Sequence, residues 1–204
     1  MRRTGPVALG ILLITAISAF ASGPPPTPMP PRDVSSVGVI AGATEPGVRL
    51  AISGQIFAPD GVTPVPGVIA YAYQTDGSGE YHNDANRVAR LHGWARTDAG
   101  GRFEFRTIRP APYPGRGIAA HVHFHVWGSG YPLQWTDELR FADDPLVSSS
   151  DREDSRARGK FGTVAAVTHG ADGAQHVTVN FRIREETNYP PGERDDPRTQ
   201  SHGR

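Results

Sequence analysis

Apolar and polar residues alternate with a period of two over short stretches of this chain, and each stretch is bounded by turn-forming residues. In the segment RFEFRTI, for example, Phe103 and Phe105 alternate with charged or polar neighbours. Successive side chains of a strand point to opposite faces of a sheet, so this alternation is typical of β-strands. Helical periodicity is almost absent, and the 24 glycines and 19 prolines indicate many turns.

Strands of this kind are predicted at several places along the chain. They are VRLAISGQIFAP (48–59), VIAYAYQTD (68–76), WARTD (94–98), RFEFRTI (102–108), AAHVHFHVWG (119–128) and TDELRF (136–141). Residues 161–184 are predicted to close the domain as a hairpin with its turn at residues 170–173, and the charged run at 148–160 is interpreted as a solvated loop. This spacing predicts an all-β fold, a β-sandwich of mixed short strands with little helix.

The two ends of the chain differ from this pattern. Residues 1–22 carry two arginines, a short apolar run and then small residues, which predicts an export signal. Residues 23–34 are a proline-rich linker, residues 35–184 the β-sandwich domain, and residues 185–204 a tail predicted to be disordered. We therefore expect a secreted or periplasmic protein with no stable membrane span after signal cleavage, and leave open whether it uses general secretion or the twin-arginine route.

The charge balance limits the classes of partner. Lys+Arg and Asp+Glu both number 21, so the formal net charge is zero. A neutral balance gives no reason to expect a nucleic-acid partner. The absence of cysteine removes the commonest structural zinc sites. The oligomeric state is left open by the sequence, and an oligomer is compatible with it.

The densest chemistry lies in residues 106–127, RTIRPAPYPGRGIAAHVHFHVW. The spacing of His121, His123 and His125 places three imidazoles on one face of a strand. A row of imidazoles is a costly way to fill a core, because each buried ring needs partners for both of its nitrogens. A metal ion would satisfy them. His125 is interpreted as pocket lining or a neighbour of the ligands, with competition for the metal left open.

Two tyrosines in constrained loops extend this set of donors. Tyr81 lies in GEYHND, and Tyr113 lies in PAPYPGR, where flanking prolines restrict the backbone. A free tyrosine has a pKa near ~10, so it is a useful ligand only for a strongly Lewis-acidic ion that displaces its proton. Fe(III) meets that demand, whereas zinc more often binds Cys, His or carboxylate.

Several segments are similar to a known family. RTDAGGRFEFRTIRPAPYP (96–114), followed by AHVHF (120–124) and TDELRFADDPL (136–146), resembles the signature of the intradiol ring-cleavage dioxygenases, the catechol and protocatechuate 3,4-dioxygenase family. Upstream, ISGQIFAPDGVTPVPGV (52–68) resembles the opening strand and turn of that family. The resemblance covers roughly residues 50–147.

The resemblance implies a non-haem Fe(III) centre on a β-sandwich, held by two tyrosinates and two histidines. By their motifs, the family's tyrosines match Tyr81 and Tyr113, and its histidine pair matches His121 and His123. In the family the second tyrosine leaves the metal when substrate chelates it, which implies that Tyr113 is both a ligand and a catalytic proton acceptor. The implied substrates are a small aromatic diol and O2, with the ring cleaved between vicinal hydroxyls.

Two positions depart from the family pattern. An arginine three residues before the first histidine is replaced by Ile118, and we predict that Arg116 substitutes for it as a catalytic residue. The family's glutamine in the next strand falls at Glu138. A carboxylate there places negative charge beside an anionic substrate unless it is protonated or turned away.

Two other functions fit part of the pattern. A non-catalytic binding module of the transthyretin-like or carboxypeptidase-regulatory type shares SGQIFAPDGVTPVPGVIAY and TDAGGRFEFRTI. That alternative explains the strands but not the two tyrosines and two histidines together. In a third alternative, the site survives but binds another metal or serves only structurally.

Overall fold

Two mixed β-sheets pack face to face in the computed structural model, which describes residues 27–188. The strands are short, as the alternation of apolar and polar residues predicts, and the predicted fold class is confirmed. In chain order they are β1 (Val37–Val39), β2 (Arg49–Phe57), β3 (Ile69–Gln74), β4 (Leu91–Arg96), β5 (Arg102–Ile108), β6 (His121–Gly128), β7 (Tyr131–Trp135), β8 (Leu139–Phe141), β9 (Val164–Ala165), β10 (Thr168–His169) and β11 (Gln175–Arg182).

The strand order combines local hairpins with long-range parallel pairs. The first sheet has the order β1-β5-β2-β11-β10, and the second has the order β4-β3-β6-β8-β9 with β7 also paired to β6. The predicted hairpin at residues 170–173 joins β10 to β11. Its long arm β11 then runs parallel to β2, with Gln175 opposite Leu50 and Arg182 opposite Phe57. The end of the domain is thereby tied to its first long strand.

Along β6, apolar side chains that face the core alternate with histidines that face the other way. Val122, Phe124 and Val126 are at most 1% exposed and face the other sheet. Burial of such side chains stabilises the fold by roughly 1.5–3 kcal/mol each. The histidines of β6 alternate with them and therefore lie on the outer face of the second sheet. The apolar core fixes the register of the strand, and the register fixes which way the imidazoles point.

One prediction for the charged run was wrong. Residues 148–160 were interpreted as a loop, but Ser149–Ala157 form a helix, α1, followed by a 3-10 turn at Gly159–Phe161. Ser148 caps the helix: its side chain accepts from the backbone N–H of Asp151, whose carboxylate accepts in return from the backbone N–H of Ser148. This S-x-x-D capping box was present in the sequence. The helix buries none of its residues, so its charges are solvated as predicted.

Ordered contacts extend on both sides of residues 35–184. Thr27 is buried, and the indole N–H of Trp94 donates to the carbonyl of Pro28 at 3.2 Å. At the other end, the Thr187 hydroxyl donates to the Leu133 carbonyl, and Asn188 bonds the backbone of β7. The predicted export signal, residues 1–22, lies outside the described residues. Between residues 27 and 188, no helix is long and apolar enough to cross a membrane.

Candidate metal centre

His121 and His123 begin strand β6 and point to the same side of the sheet. Their Nε2 atoms are 3.1 Å apart, and their rings are nearly perpendicular. His121 is buried, whereas His123 keeps a fifth of its side chain exposed (21%). The two predicted ligands therefore lie side by side with their Nε2 atoms close together, and their role as metal ligands stays a prediction.

Tyr81 reaches this point from the loop at residues 75–90, which connects β3 to β4. Its phenolic oxygen lies 2.9 Å from Nε2 of His123. A backbone hydrogen bond ties the end of this loop to the tyrosine: the N–H of Arg90 donates to the Tyr81 carbonyl at 2.9 Å. The ring itself packs against Tyr73, with ring centroids 6.0 Å apart.

Tyr113 reaches the same point from the loop at residues 109–120, between β5 and β6. Its phenolic oxygen lies 3.0 Å from Nε2 of His121 and 2.5 Å from the phenolic oxygen of Tyr81. Residues 114–118, which follow it, are all exposed. The second tyrosine is therefore carried on the more open of the two loops.

The four predicted donors thus form a closed ring of atoms. Around the ring, adjacent donors are separated by 2.5, 3.0, 3.1 and 2.9 Å. For an ion bound at about 2.0–2.1 Å, donors at right angles to one another are about 2.9 Å apart. Four donors at these separations, two of them phenols, fit one small, strongly Lewis-acidic ion.

The polar contacts at Nδ1 of each imidazole leave Nε2 available. Nδ1 of His121 donates to the carbonyl of Ala119 at 2.7 Å, so the neutral ring carries its lone pair on Nε2. Nδ1 of His123 lies 3.4 Å from a carboxylate oxygen of Glu138. Burial and the neighbouring His121 lower the pKa of His123 to about 4, which keeps its ring neutral at pH 7. Outer hydrogen bonds of this kind orient histidine ligands.

The carboxylate of Glu138 forms an ion pair with Arg140 beside the four donor atoms. Its other oxygen accepts from Arg140 at 3.1 Å, and Arg140 also pairs with Asp151 of α1. Burial alone would raise the pKa of Glu138, but His123, His121 and Arg140 outweigh burial and lower the pKa. The charge that the sequence analysis placed against substrate is therefore partly compensated by Arg140.

Both phenols keep their protons at neutral pH unless an ion displaces them. Burial and the contact between the phenols raise the pKa of Tyr81 far above its ordinary value. Burial also raises the pKa of Tyr113, although the hydrogen bond with Tyr81 and, to a smaller extent, the charge of Arg116 act in the opposite direction. Neither phenol ionises at neutral pH by itself, so an ion that binds here must displace their protons.

His125 is separated from the four donors. Its Nδ1 lies 2.6 Å from the Thr27 hydroxyl, its side chain is buried, and its ring contacts Tyr71 and Trp135. Burial, with a smaller contribution from His123, lowers its pKa to about 3. The interpretation of His125 as a neighbour of the ligands fits this position better than competition for a metal.

Comparison with known proteins identifies the family. A family model described as "Dioxygenase" matches residues 22–186. The chain is 30% identical over 114 residues to the protocatechuate 3,4-dioxygenase beta chain of Burkholderia cepacia, which covers 50% of this chain and 48% of that one. It is also 30% identical over 150 residues to catechol 1,2-dioxygenase 1 of Acinetobacter lwoffii, covering 57% and 48%. This protein belongs to the intradiol dioxygenase family.

Solved structures of intradiol dioxygenases share the fold. The dioxygenase domain of a dioxygenase and carbohydrate-binding protein fusion from Streptomyces sp. SirexAA-E is 25% identical, with a TM-score of 0.59 over 81% of this chain and 96% of that one. An intradiol ring-cleavage dioxygenase from Tetranychus urticae is 20% identical, with a TM-score of 0.55 over 80% and 92%. The chain spans about half the length of the curated relatives it matches.

The remaining predicted site residue lies at the rim. Arg116 is exposed on the turn after Tyr113, where its backbone N–H donates to the Tyr113 carbonyl at 3.3 Å. Ile118, at the position where the family pattern has arginine, is 39% exposed. The catalytic role of Arg116 stays a prediction.

Two residues beside the site, Tyr73 and Asp76, received no role from the sequence. The Tyr73 ring stacks on His123, with centroids 4.6 Å apart and planes inclined by 12°. Asp76 lies at the start of the Tyr81 loop, and its carboxylate accepts hydrogen bonds from the backbone N–H groups of Ser78 and Glu80. The sequence Asp-Gly-Ser-Gly that begins at Asp76 is typical of a turn, and it could have indicated the role of Asp76. The contact of Tyr73 depends on the pairing of β3 with β6, which no local pattern reveals.

Proposed function

We propose that this protein is an exported intradiol dioxygenase that holds Fe(III) and cleaves catechol-type rings between adjacent hydroxyls with O2. Family membership supports the reaction class. The half-length match to the curated relatives leaves the substrate and the activity of the whole protein as parts of this proposal. We propose export because residues 1–22 have the composition of a signal peptide.

The observation that carries the proposal is the ring formed by Tyr81, Tyr113, His121 and His123. Its adjacent donor atoms are 2.5–3.1 Å apart, which suits a single small ion. The donors are two phenols and two imidazoles with no thiol, a set that favours a hard trivalent ion over zinc. A binding module without chemistry gives no reason for four such donors to converge.

Bound ferric iron would supply Lewis acidity, which favours the deprotonated diol and opens its ring to attack by dioxygen. The protein residues contribute orientation. Hydrogen bonding of His121 to Ala119 and the contact of His123 with Glu138 fix the two imidazoles. The stacked ring of Tyr73 covers one face of His123 and limits its movement.

We assign the role of proton acceptor to Tyr113. Substrate oxygens need a place among the donors, and Tyr113 is carried on a loop whose next five residues are exposed. Tyr81, in contrast, packs against Tyr73 and has its carbonyl tied to Arg90. Once a bound ion has displaced its phenolic proton, Tyr113 would be able to turn outwards as the phenolate and accept a proton from the diol at that oxygen.

Arg116 is proposed to stabilise negative charge on the bound diol. It follows Tyr113 by three residues, and its charge lowers the pKa of the Tyr113 phenol, although burial raises it more. Ile118 cannot fill this role because it carries no charge. Arg116 is the cation that the loop offers at this rim.

Product analysis tests the proposal. The purified protein is loaded with Fe(III), supplied with catechol and isotopically labelled O2, and its products are analysed by mass spectrometry. We expect a ring-opened dicarboxylate that contains both labelled oxygen atoms, and no product from a His123→Ala control. Absence of ring-opened product from the iron-loaded protein across a panel of substituted catechols would overturn it.

A further inference from the structure

Asp76 is a buried carboxylate at the start of the Tyr81 loop, two residues beyond the end of β3. One of its oxygens accepts from the backbone N–H of Ser78 at 2.8 Å, the Ser78 hydroxyl at 2.6 Å and the backbone N–H of Glu80 at 3.2 Å. The other oxygen pairs with Arg90 at 3.2 Å and with Nε2 of His82 at 3.0 Å. The carboxylate therefore holds the loop on both sides of Tyr81.

The backbone of Asp76 holds the second tyrosine loop. Its carbonyl accepts from the N–H of Ala111 at 3.0 Å, and the hydroxyl of the preceding Thr75 donates to the Ala111 carbonyl at 2.8 Å. Ala111 lies two residues before Tyr113. One residue is thus bonded through its side chain to the Tyr81 loop and through its backbone to the Tyr113 loop.

The two loops also touch at a glycine. A Cβ atom at Gly79 would lie 2.3 Å from the Pro112 carbonyl oxygen, so only glycine permits this approach. Gly79 also has φ +86°, which side chains rarely adopt, and its N–H donates to the Asp76 carbonyl at 3.1 Å. The turn that Asp76 closes is the surface on which the Tyr113 loop rests.

We propose that Asp76 is a positioning residue for the metal centre: it sets the separation of Tyr81 and Tyr113 and so the affinity of the site for Fe(III). The proposal rests on the proposed function. Asp76 touches none of the four donor atoms, so its effect is exerted through the two loops. Buried charge is costly unless it is compensated, and here five donor groups compensate it.

A second aspartate in the same loop provides a matched control. Asp84 accepts from the backbone N–H groups of Asn86 at 2.9 Å and Val88 at 2.8 Å, which closes a turn of the same kind. It is exposed, and none of its described contacts reaches Tyr81 or the loop at residues 109–120. If any aspartate turn in this loop sufficed, the two residues would be equivalent.

The test compares Asp76→Ala with Asp84→Ala in the full chain, each titrated with Fe(III) against a competing chelator. We expect Asp76→Ala to weaken ferric binding at least about tenfold and to shift the tyrosinate-to-iron absorption band, because residues that orient ligands typically control affinity by 10–100-fold. We expect Asp84→Ala to stay within about twofold of wild type, with an unshifted band. Circular dichroism reports whether each variant is folded.

Each result decides something. Equal affinity and an identical band for Asp76→Ala and wild type would overturn the positioning role alone. Equal losses in both variants would overturn it too, because the loop as a whole would then be responsible. A wild-type protein that binds no Fe(III) would overturn the proposed function and this inference together. If Asp76→Ala does not fold, Asp76→Asn replaces it: at least about threefold weaker ferric binding supports the role, and unchanged binding overturns it.

Discussion

The phenolic oxygens of Tyr81 and Tyr113 lie 2.5 Å apart although the residues are 32 positions apart in the chain and belong to different loops. Two partly buried phenols at this distance share one hydrogen bond. Replacement of their protons by a single ion would satisfy both oxygens and the two facing imidazoles at once. The contact between these two side chains is therefore the main geometric support for the proposed metal centre.

Removal of one phenol should remove the ion but keep the fold. In Tyr113→Phe we expect ferric affinity to fall by more than about tenfold, because a donor is lost while the ring still packs. Tyr73→Phe is the control, since its ring stacks on His123 but its phenol lies outside the donor ring. Chelator competition and a melting curve separate binding from folding. Equal ferric affinity of Tyr113→Phe and wild type would argue against the assigned ligand.

The histidine row offers a sharper comparison. We expect His123→Ala to lose ferric iron, whereas His125→Ala should retain it and instead unfold more easily by roughly 1–3 kcal/mol. His125 and Thr27 share a 2.6 Å hydrogen bond in a buried position, so the substitution removes that hydrogen bond and leaves a cavity where the imidazole packed. Iron content and urea unfolding are the two measurements. Loss of iron from His125→Ala with the fold intact would place the wrong histidine in the donor set.

The close approach of the two loops should be sensitive to a single methyl group. Gly79→Ala is expected to destabilise the protein by roughly 1–3 kcal/mol and to weaken ferric binding, because its φ is +86° and its Cβ would meet the Pro112 carbonyl. Gly77→Ala, two residues away, meets only the Pro46 carbonyl at 3.8 Å. Thermal melting of both variants checks the prediction. Similar melting temperatures for the two would contradict it.

Protonation of Asp76 at low pH should destabilise the loop at residues 75–90. Burial alone would raise the pKa of Asp76, but hydrogen bonds from Ser78, Glu80 and Arg90 hold it well below its ordinary value. A lowered folded-state pKa contributes stability that is fully present above the unfolded-state pKa of about 4 and is lost as the pH falls further.

The matching variant is Asp76→Asn. We expect wild type to be more stable than this variant by roughly 1–3 kcal/mol at pH 7, and the difference to shrink as the pH falls from about 4 towards 2. Urea unfolding at a series of pH values measures the difference. A gap that stays constant between pH 7 and 2 would show that the carboxylate charge contributes nothing.

Local patterns and family motifs predicted most of the fold and the four side chains that the structure brings together in the candidate site. Alternation placed β6 correctly, and the same alternation put His121 and His123 on one face. Family motifs assigned the tyrosines. Helix α1 was missed because its composition is charged and buries nothing, so only the Ser148 and Asp151 capping box could have revealed it.

The supporting residues depend on contacts that no local pattern contains. Thr27 meets His125 across 98 positions, in a segment interpreted as linker. Asp76 binds Ala111 because the pairing of distant strands brings their loops together. Such contacts are set by register and packing, which the sequence expresses only through the whole fold.

The visible absorption spectrum of the Fe(III)-loaded protein, recorded before and after anaerobic addition of catechol, tests the central claim most directly. We predict a tyrosinate-to-iron charge-transfer band that shifts when catechol is added, because a diol displaces one of the four donors. A protein that stays colourless and free of iron after ferric reconstitution would contradict the assignment of Tyr81, Tyr113, His121 and His123 as a ferric centre.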